Sequence, residues 1–182
     1  DVYKRQGQTS EAEKYIMQML DVGAGDRPEE ISHSGNIVID SLINHAYAAA
    51  QKDNVQFNVN VLVPASLPFE SGHLAIVLGN LLENALEACR NIPDEKGFIS
   101  LDISYAKDIF QLCIKNNYQA KRKKDIIGHY ITTKGDNIYH GLGLSSINHA
   151  IENYHGQMDI TDNDNIFQVI IVMYGSYSEN AK

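Results

Sequence analysis

Two asparagines, Asn80 and Asn84, stand one helical turn apart in the stretch "HLAIVLGNLLENALEACR" at 73–90. Drawn as a helix, this stretch gathers Leu74, Leu78, Leu81, Leu82, Ala85 and Cys89 on one side. Asn80, Asn84 and Glu87 fall on the opposite side, with Glu83 beside them. Asparagine is a poor helix former, because its amide competes for backbone hydrogen bonds. Two amide oxygens at this spacing can coordinate Mg²⁺ together with phosphate oxygens and water. The same pattern also suits a plain polar face with local hydrogen bonds. Farther along, "HGLGLSSINHAIENYHG" at 140–156 opens an apolar-periodic run with Gly141 and Gly143. Glycine weakens a helix. It also lets backbone approach an anion at a helix N-terminus, where free N–H groups and the helix dipole favour negative charge. A linker that happens to meet a helix is the other explanation.

Two further stretches carry polar groups in suggestive places. "CIKNNYQA" at 113–120 ends a strand in Asn116, Asn117 and Tyr118. Asn116 could present its amide to an adenine edge, or the pair of asparagines could simply turn the chain. "ITTKG" at 131–135 offers Thr132, Thr133 and Lys134, two hydroxyls and an ammonium that suit a phosphate chain and equally suit a solvated loop. The "KRKK" run at 121–124 reads as solvated charge, the seven histidines form no metal-ligand cluster, and His155 at a helix end suits the helix dipole.

The elements that must position these residues follow from periodicity. Residues 9–22 read as a helix with Ser10 and Glu13 as a capping box, broken by "DVGAGDRPEE". A second helix runs over about 35–53 with Ile39, Leu42, Ile43, Ala46 and Ala50 on its apolar face. "VQFNVNVLV" at 55–63 alternates as a half-buried strand, and the asparagine-bearing helix follows over about 71–91. "FISLDISY" at 98–105 and "IFQLCIK" at 109–115 predict a hairpin joined by "AKD". Residues 117–139 read as a polar, mobile loop. The glycine-led helix extends to about Tyr154, with Gly156 as its left-handed stop, and "QMDITD" with "IFQVIIVMY" (166–174) closes the chain as a second hairpin. Residues 175–182 are expected to fray. This order predicts an α+β two-layer sandwich: a mixed, mostly antiparallel sheet with helices on one face. It is not the alternating order of a dinucleotide fold, since no strand directly precedes the glycines.

Composition narrows the function classes. The 182 residues suit one domain with a short appendage, and 43% hydrophobic residues can build a core. A formal net charge of −8 argues against nucleic-acid binding. No apolar run approaches the roughly 20 residues that span a bilayer. Cys89 and Cys113 show no metal or disulfide spacing, and a reducing cytoplasmic setting is expected. "DVYKRQ" at 1–6 resembles a translated library adapter and is expected to be non-native, so the chain reads as a C-terminal piece of a longer protein.

Taken in order, these motifs resemble the GHKL ATPase superfamily, or Bergerat fold, over about residues 30–174. "NLLENALEAC" looks like its N box, "NNY" at 116–118 stands where its first glycine box should be, and "HGLGL" looks like its second. Within the superfamily the chain is similar to the kinase domain of Agr-type quorum-sensing histidine kinases, through "SGNIVIDSLIN", the Asn in place of an adenine-reading Asp, and "TTK" followed by "HGLGL". The resemblance implies ATP and Mg²⁺ as ligands. Asn84 would hold the metal, Asn80 would support that shell and be catalytic together with Glu83, and Glu87 would bind the cofactor. Asn116 would take the adenine amino group. Thr132, Thr133, Lys134, His140, Gly141, Leu142 and Gly143 would enclose the phosphates. Residues 7–25 would be part of a dimerisation helix, and the partners would be a response regulator and a second copy joined through an upstream hairpin. The setting implied is the cytoplasmic part of a membrane-anchored bacterial sensor. Three departures stand out: the first glycine box lacks its glycines, so Tyr118 is expected to narrow the adenine side; His45 stands where such kinases often have Lys; and no His is followed by an acidic residue, as a phospho-acceptor usually is. His73 and His140 are expected within the fixed nucleotide site. A nucleotide-gated ATPase or interaction module of the same superfamily, without histidine kinase activity, is the alternative; the general-base Glu of such an ATPase would fall at position 80, which is Asn here.

Overall fold

The computed structural model describes residues 29–90, 92, 96–119, 123–124, 130–131 and 141–175. The helix expected at 9–22, the adapter-like start, Thr132, Thr133, Lys134 and His140 lie outside the described residues.

Helix α1, Ile37–Lys52, starts where Asn36 accepts the Ile39 N–H at 3.1 Å, a side-chain cap on one of the helix's unpaired donors. Its buried residues are Ile39, Leu42, Ile43, Ala46 and Ala50, the face predicted from periodicity. The segment leading into α1 is tied to it. Asp40 accepts from the Ser32 and Ser34 hydroxyls at 2.7 and 2.8 Å and from the Ser34 and Gly35 N–H groups at 2.9 Å each. Asn44 accepts the Ile31 and Ser32 N–H groups through its side-chain oxygen, both at 2.9 Å. Burial alone would raise the Asp40 pKa; the bonds from Ser32, Ser34 and Gly35 outweigh it and hold the carboxyl below its ordinary value.

Strand β1, Gln56–Leu62, leads into helix α2, Ser71–Arg90, and strand β2, Phe98–Ala106. β1 and β2 pair in parallel, Gln56 with Phe98 through Leu62 with Ser104. A parallel pair needs a long crossover, and α2 supplies it. Strand β3, Ile109–Asn117, returns antiparallel to β2 through a two-residue turn, Lys107–Asp108. Both turn residues are left-handed (φ 52° and 60°), the conformation that matches the twist of the flanking strands. The connection is thus shorter than the "AKD" expected. β3 also runs two residues farther than its apolar alternation. Strands β4, Lys123–Lys124, and β5, Tyr130–Ile131, form a small antiparallel ladder inside the stretch read as loop. Helix α3, Gly141–Glu152, strand β6, Gln157–Asn163, and strand β7, Ile166–Tyr174, complete the chain.

The five long strands form one mixed sheet in the order β1-β2-β3-β7-β6, with three of its four pairings antiparallel. Inward residues alternate along each strand: Ile99, Leu101 and Ile103 on β2, Phe110, Leu112 and Ile114 on β3, Val169, Ile171 and Met173 on β7. They meet the three helices, which pack side by side on that face. α2 lies between α1 and α3 and is buried almost all round; besides the predicted stripe it buries Ala75, Val77, Gly79 and Leu86. The open arc is the one that bears the asparagines. The left-handed residue after α3 is His155 (φ 49°), not Gly156. Gly156 is required for a different reason: a methyl there would stand 2.6 Å from the Ile151 Cβ and 2.7 Å from the Ile151 carbonyl oxygen.

Candidate nucleotide site

α2 and α3 pack antiparallel, which decides what meets what. At one end His73, early in α2, meets Tyr154, just past α3: the rings stand edge to face at 5.6 Å and the Tyr154 hydroxyl lies 2.8 Å from His73 Nδ1. That hydroxyl also accepts the Glu70 N–H at 2.9 Å. Burial, first, and the nearby Glu70 carboxylate push the Tyr154 phenol up, so the hydroxyl stays protonated. His73 is therefore a packing histidine. At 1.5 Å per residue it lies about 16 Å along the helix from Asn84, at the end of the α2–α3 pair away from Gly143.

At the other end the N-terminus of α3 meets the asparagine arc. A methyl placed on Gly143 would stand 3.1 Å from Asn80 Oδ1 and 3.9 Å from Asn84 Nδ2. The Asn80 amide donates to the Ile76 carbonyl one turn back at 2.7 Å. This fixes its orientation and aims its oxygen at the glycine. Asn84 is exposed beside it, and Glu83 and Glu87 share the same arc, Glu83 exposed and Glu87 half-buried. Gly141 and Leu142 form the start of α3. The two motifs singled out first in the sequence are thus brought together by a helix pair, with little room left at Gly143 for a side chain.

Asn116 occupies the sheet end next to this junction. It lies in β3 between Ile99 and Phe167 on the helix-covered face and is 2% exposed. Cys89, in the last turn of α2, sits 3.7 Å from the Asn117 carbonyl oxygen, which brings that end of β3 under the C-terminal half of α2. The Asn116 amide donates to the Asn117 carbonyl at 3.0 Å. With the nitrogen so engaged, the side-chain oxygen is the atom it offers as an acceptor. Asn117, read from the sequence as a turn residue, has a structural task instead. It accepts the Phe98 N–H at 2.8 Å and donates to the Lys96 carbonyl at 3.1 Å, fastening the start of β2. Tyr118 follows, half-buried, and its hydroxyl donates to Asp162. Sequence reasoning passed over Asp162, although the alternation Met158, Ile160, Asp162 puts a carboxylate where β6 should point an apolar side chain inward.

The donors here are amide and carboxylate oxygens, which suit a hard cation such as Mg²⁺. Among the described residues no group of three or more His, Cys, Asp or Glu could hold a metal. An ion would need oxygens from a bound phosphate and from water, the usual way Mg²⁺ is held. The amide oxygens of Asn80 and Asn84 next to a glycine-bearing helix N-terminus fit such a shared site. No helix among the described residues is long and apolar enough to cross a membrane.

Residues 70–174, more than half of the chain, match the GHKL domain family. No curated protein matches the chain. Among solved structures, the catalytic domain of the histidine kinase ThkA, in a nucleotide-free form, is 23% identical with a TM-score of 0.58, covering 76% of this chain and 95% of that one. The Acinetobacter baumannii histidine kinase AdeS is 12% identical with a TM-score of 0.58, covering 96% of this chain and 77% of that one. The histidine kinase domain of the Erythrobacter litoralis EL346 blue-light activated histidine kinase is 18% identical with a TM-score of 0.56, covering 92% and 73%. These likenesses match the open mixed sheet with its helices on one face, and the chain belongs to the GHKL domain family.

Proposed function

We propose that this chain is the ATP-binding catalytic part of a sensor histidine kinase. It binds Mg-ATP between the asparagine arc of α2, the N-terminus of α3 and the β3 end of the sheet. It then presents the γ-phosphoryl group to a histidine on a separate segment. The observation that carries the proposal is the close approach of Gly143 to the asparagine arc, where a methyl placed on it would stand 3.1 Å from Asn80 Oδ1 and 3.9 Å from Asn84 Nδ2. Phosphates would lie against the first turn of α3, where N–H groups are unpaired. Asn84, supported by Asn80, would share Mg²⁺ with them. The Asn116 oxygen would accept from the adenine amino group. Bound Mg²⁺ would neutralise charge developing on the transferred phosphoryl, and the chain's own part is positioning.

The alternative, a nucleotide-hydrolysing ATPase, needs a base to activate water. Asn80 holds the position such a base would take, and its nitrogen is engaged with the Ile76 carbonyl; an amide takes no proton at neutral pH. Asn116 in place of an aspartate, together with "HGLGL", supports the Agr-type reading and with it a response regulator as partner and a dimer formed through an upstream hairpin. To test the transfer, the chain is incubated with γ-labelled ATP, alone and with a histidine-bearing dimerisation hairpin of an Agr-type kinase in trans. Acid-labile label on the hairpin only is expected. Label on this chain alone, or release of inorganic phosphate without transfer, would contradict the proposal.

A further inference from the structure

Asp162 is a carboxylate on the wrong side of its strand. Along β6, Met158, Ile160 and Asp162 alternate toward the helices, opposite Ile171, Val169 and Phe167 of β7. An inward carboxylate on an edge strand is costly unless it is bonded, and here the Tyr118 hydroxyl is its partner. The sheet register puts this pair next to the base end of the nucleotide site. Asn116, Phe167 and Asp162 form one row across β3, β7 and β6 on the same face. Tyr118 leaves β3 two residues after Asn116, and its N–H donates to the Asn165 carbonyl at 3.0 Å. Asn165 belongs with Asp164 to a tight turn whose two residues are both left-handed (φ 52° and 62°). Tyr118 is thus held at both its backbone and its hydroxyl by one hairpin, and Asp162, which its hydroxyl meets, is the β6 member of the row that holds Asn116.

Resting on the nucleotide reading above, we propose that Tyr118 walls the base end of the site and that Asp162 is a positioning residue that fixes its ring. The ring supplies an aromatic surface for the base, and the Asp162 bond sets how closely that surface stands to Asn116. A ring so fixed favours an adenine, whose amino group meets the Asn116 oxygen. It disfavours a guanine, whose carbonyl oxygen would face that same acceptor.

The test measures dissociation constants for ADP and GDP, both with Mg²⁺, in the wild type and in Tyr118→Ala, Tyr118→Phe, Asp162→Ala and Asp162→Asn. Tyr118→Ala should weaken ADP about tenfold, in the range of aromatic–base contacts. Tyr118→Phe and Asp162→Ala keep the ring and release it; the ADP-over-GDP preference should fall about threefold or more in both. Asp162→Asn, which still offers an oxygen to the phenol, should restore the preference. Circular dichroism checks that each variant folds, and a Tyr118→Ala variant that failed to fold would leave the other three as the test. ADP affinity and preference unchanged in Tyr118→Phe and Asp162→Ala would overturn the positioning role. Failure of the wild type to bind either nucleotide would instead overturn the nucleotide reading itself.

Discussion

Consider Gly143→Ala. The new methyl would stand 3.1 Å from Asn80 Oδ1, a few tenths of an ångström inside ordinary contact. The Asn80 side chain can yield, but only by loosening its 2.7 Å bond to the Ile76 carbonyl. Such a bond is worth roughly 0.5–1.5 kcal/mol net. Against this, replacing Gly by Ala inside a helix gains up to about 1 kcal/mol. The two effects nearly cancel, and urea unfolding should show a stability within about 1 kcal/mol of the wild type. Affinity for Mg-ADP should not be spared. The methyl occupies the space between the first turn of α3 and the amide pair, and it turns the Asn80 oxygen away. A loss of about tenfold, or 1.4 kcal/mol, is expected by titration calorimetry, and a larger one for Gly143→Val. A folded Gly143→Val variant with wild-type affinity would refute the idea that this glycine exists for the ligand.

Other substitutions separate fold from site. Gly156→Ala puts a methyl 2.6 Å from the Ile151 Cβ at the far end of α3; it should cost about 1–3 kcal/mol in urea unfolding with nucleotide affinity unchanged in the folded protein. Asp40→Ala removes the acceptor of four bonds and should destabilise by about 2 kcal/mol at pH 7. Because the folded pKa of Asp40 lies below the ordinary 3.8, its contribution is present above that value and is lost as pH falls through the folded pKa. The gap between wild type and variant should therefore narrow below about pH 4, read from unfolding curves at several pH values. Asn116→Asp would set a buried carboxylate against the Asn117 carbonyl with no hydrogen to donate; it should destabilise by about 1–3 kcal/mol at neutral pH and recover in part on acidification.

The helices and strands were legible because their signals are local. The α1 stripe and the alternation of β2, β3 and β7 each repeat at the period of their element, and the structure keeps them. The parallel pairing of β1 with β2 was not legible, since nothing in either strand encodes the direction of its neighbour; the crossover α2 sets it. Nor was the length of β3, which ends on Asn116 and Asn117. Those residues read as a turn until the start of β2 is seen to depend on Asn117. At the site, Asn80, Asn84 and Gly143 could be named from residue type and spacing, but their contact depends on α2 and α3 running antiparallel. The same packing places His73 at the opposite end of the pair, against Tyr154. Asp162 escaped notice because its signal, one carboxylate out of phase in an otherwise apolar alternation, gains meaning only from Tyr118 across two strands.

The central claim, that the α2 asparagines and the α3 N-terminus form a metal-assisted nucleotide site, is tested most directly by titrating ADP into the chain with Mg²⁺ and with EDTA, in the wild type and in Asn84→Ala. The wild type should give saturable one-to-one binding that is tighter with Mg²⁺. Asn84→Ala should keep the metal-free affinity and lose most of the gain from Mg²⁺, because the ion loses one of its oxygen ligands. Absence of binding at millimolar ADP, or a gain from Mg²⁺ as large in Asn84→Ala as in the wild type, would contradict the claim.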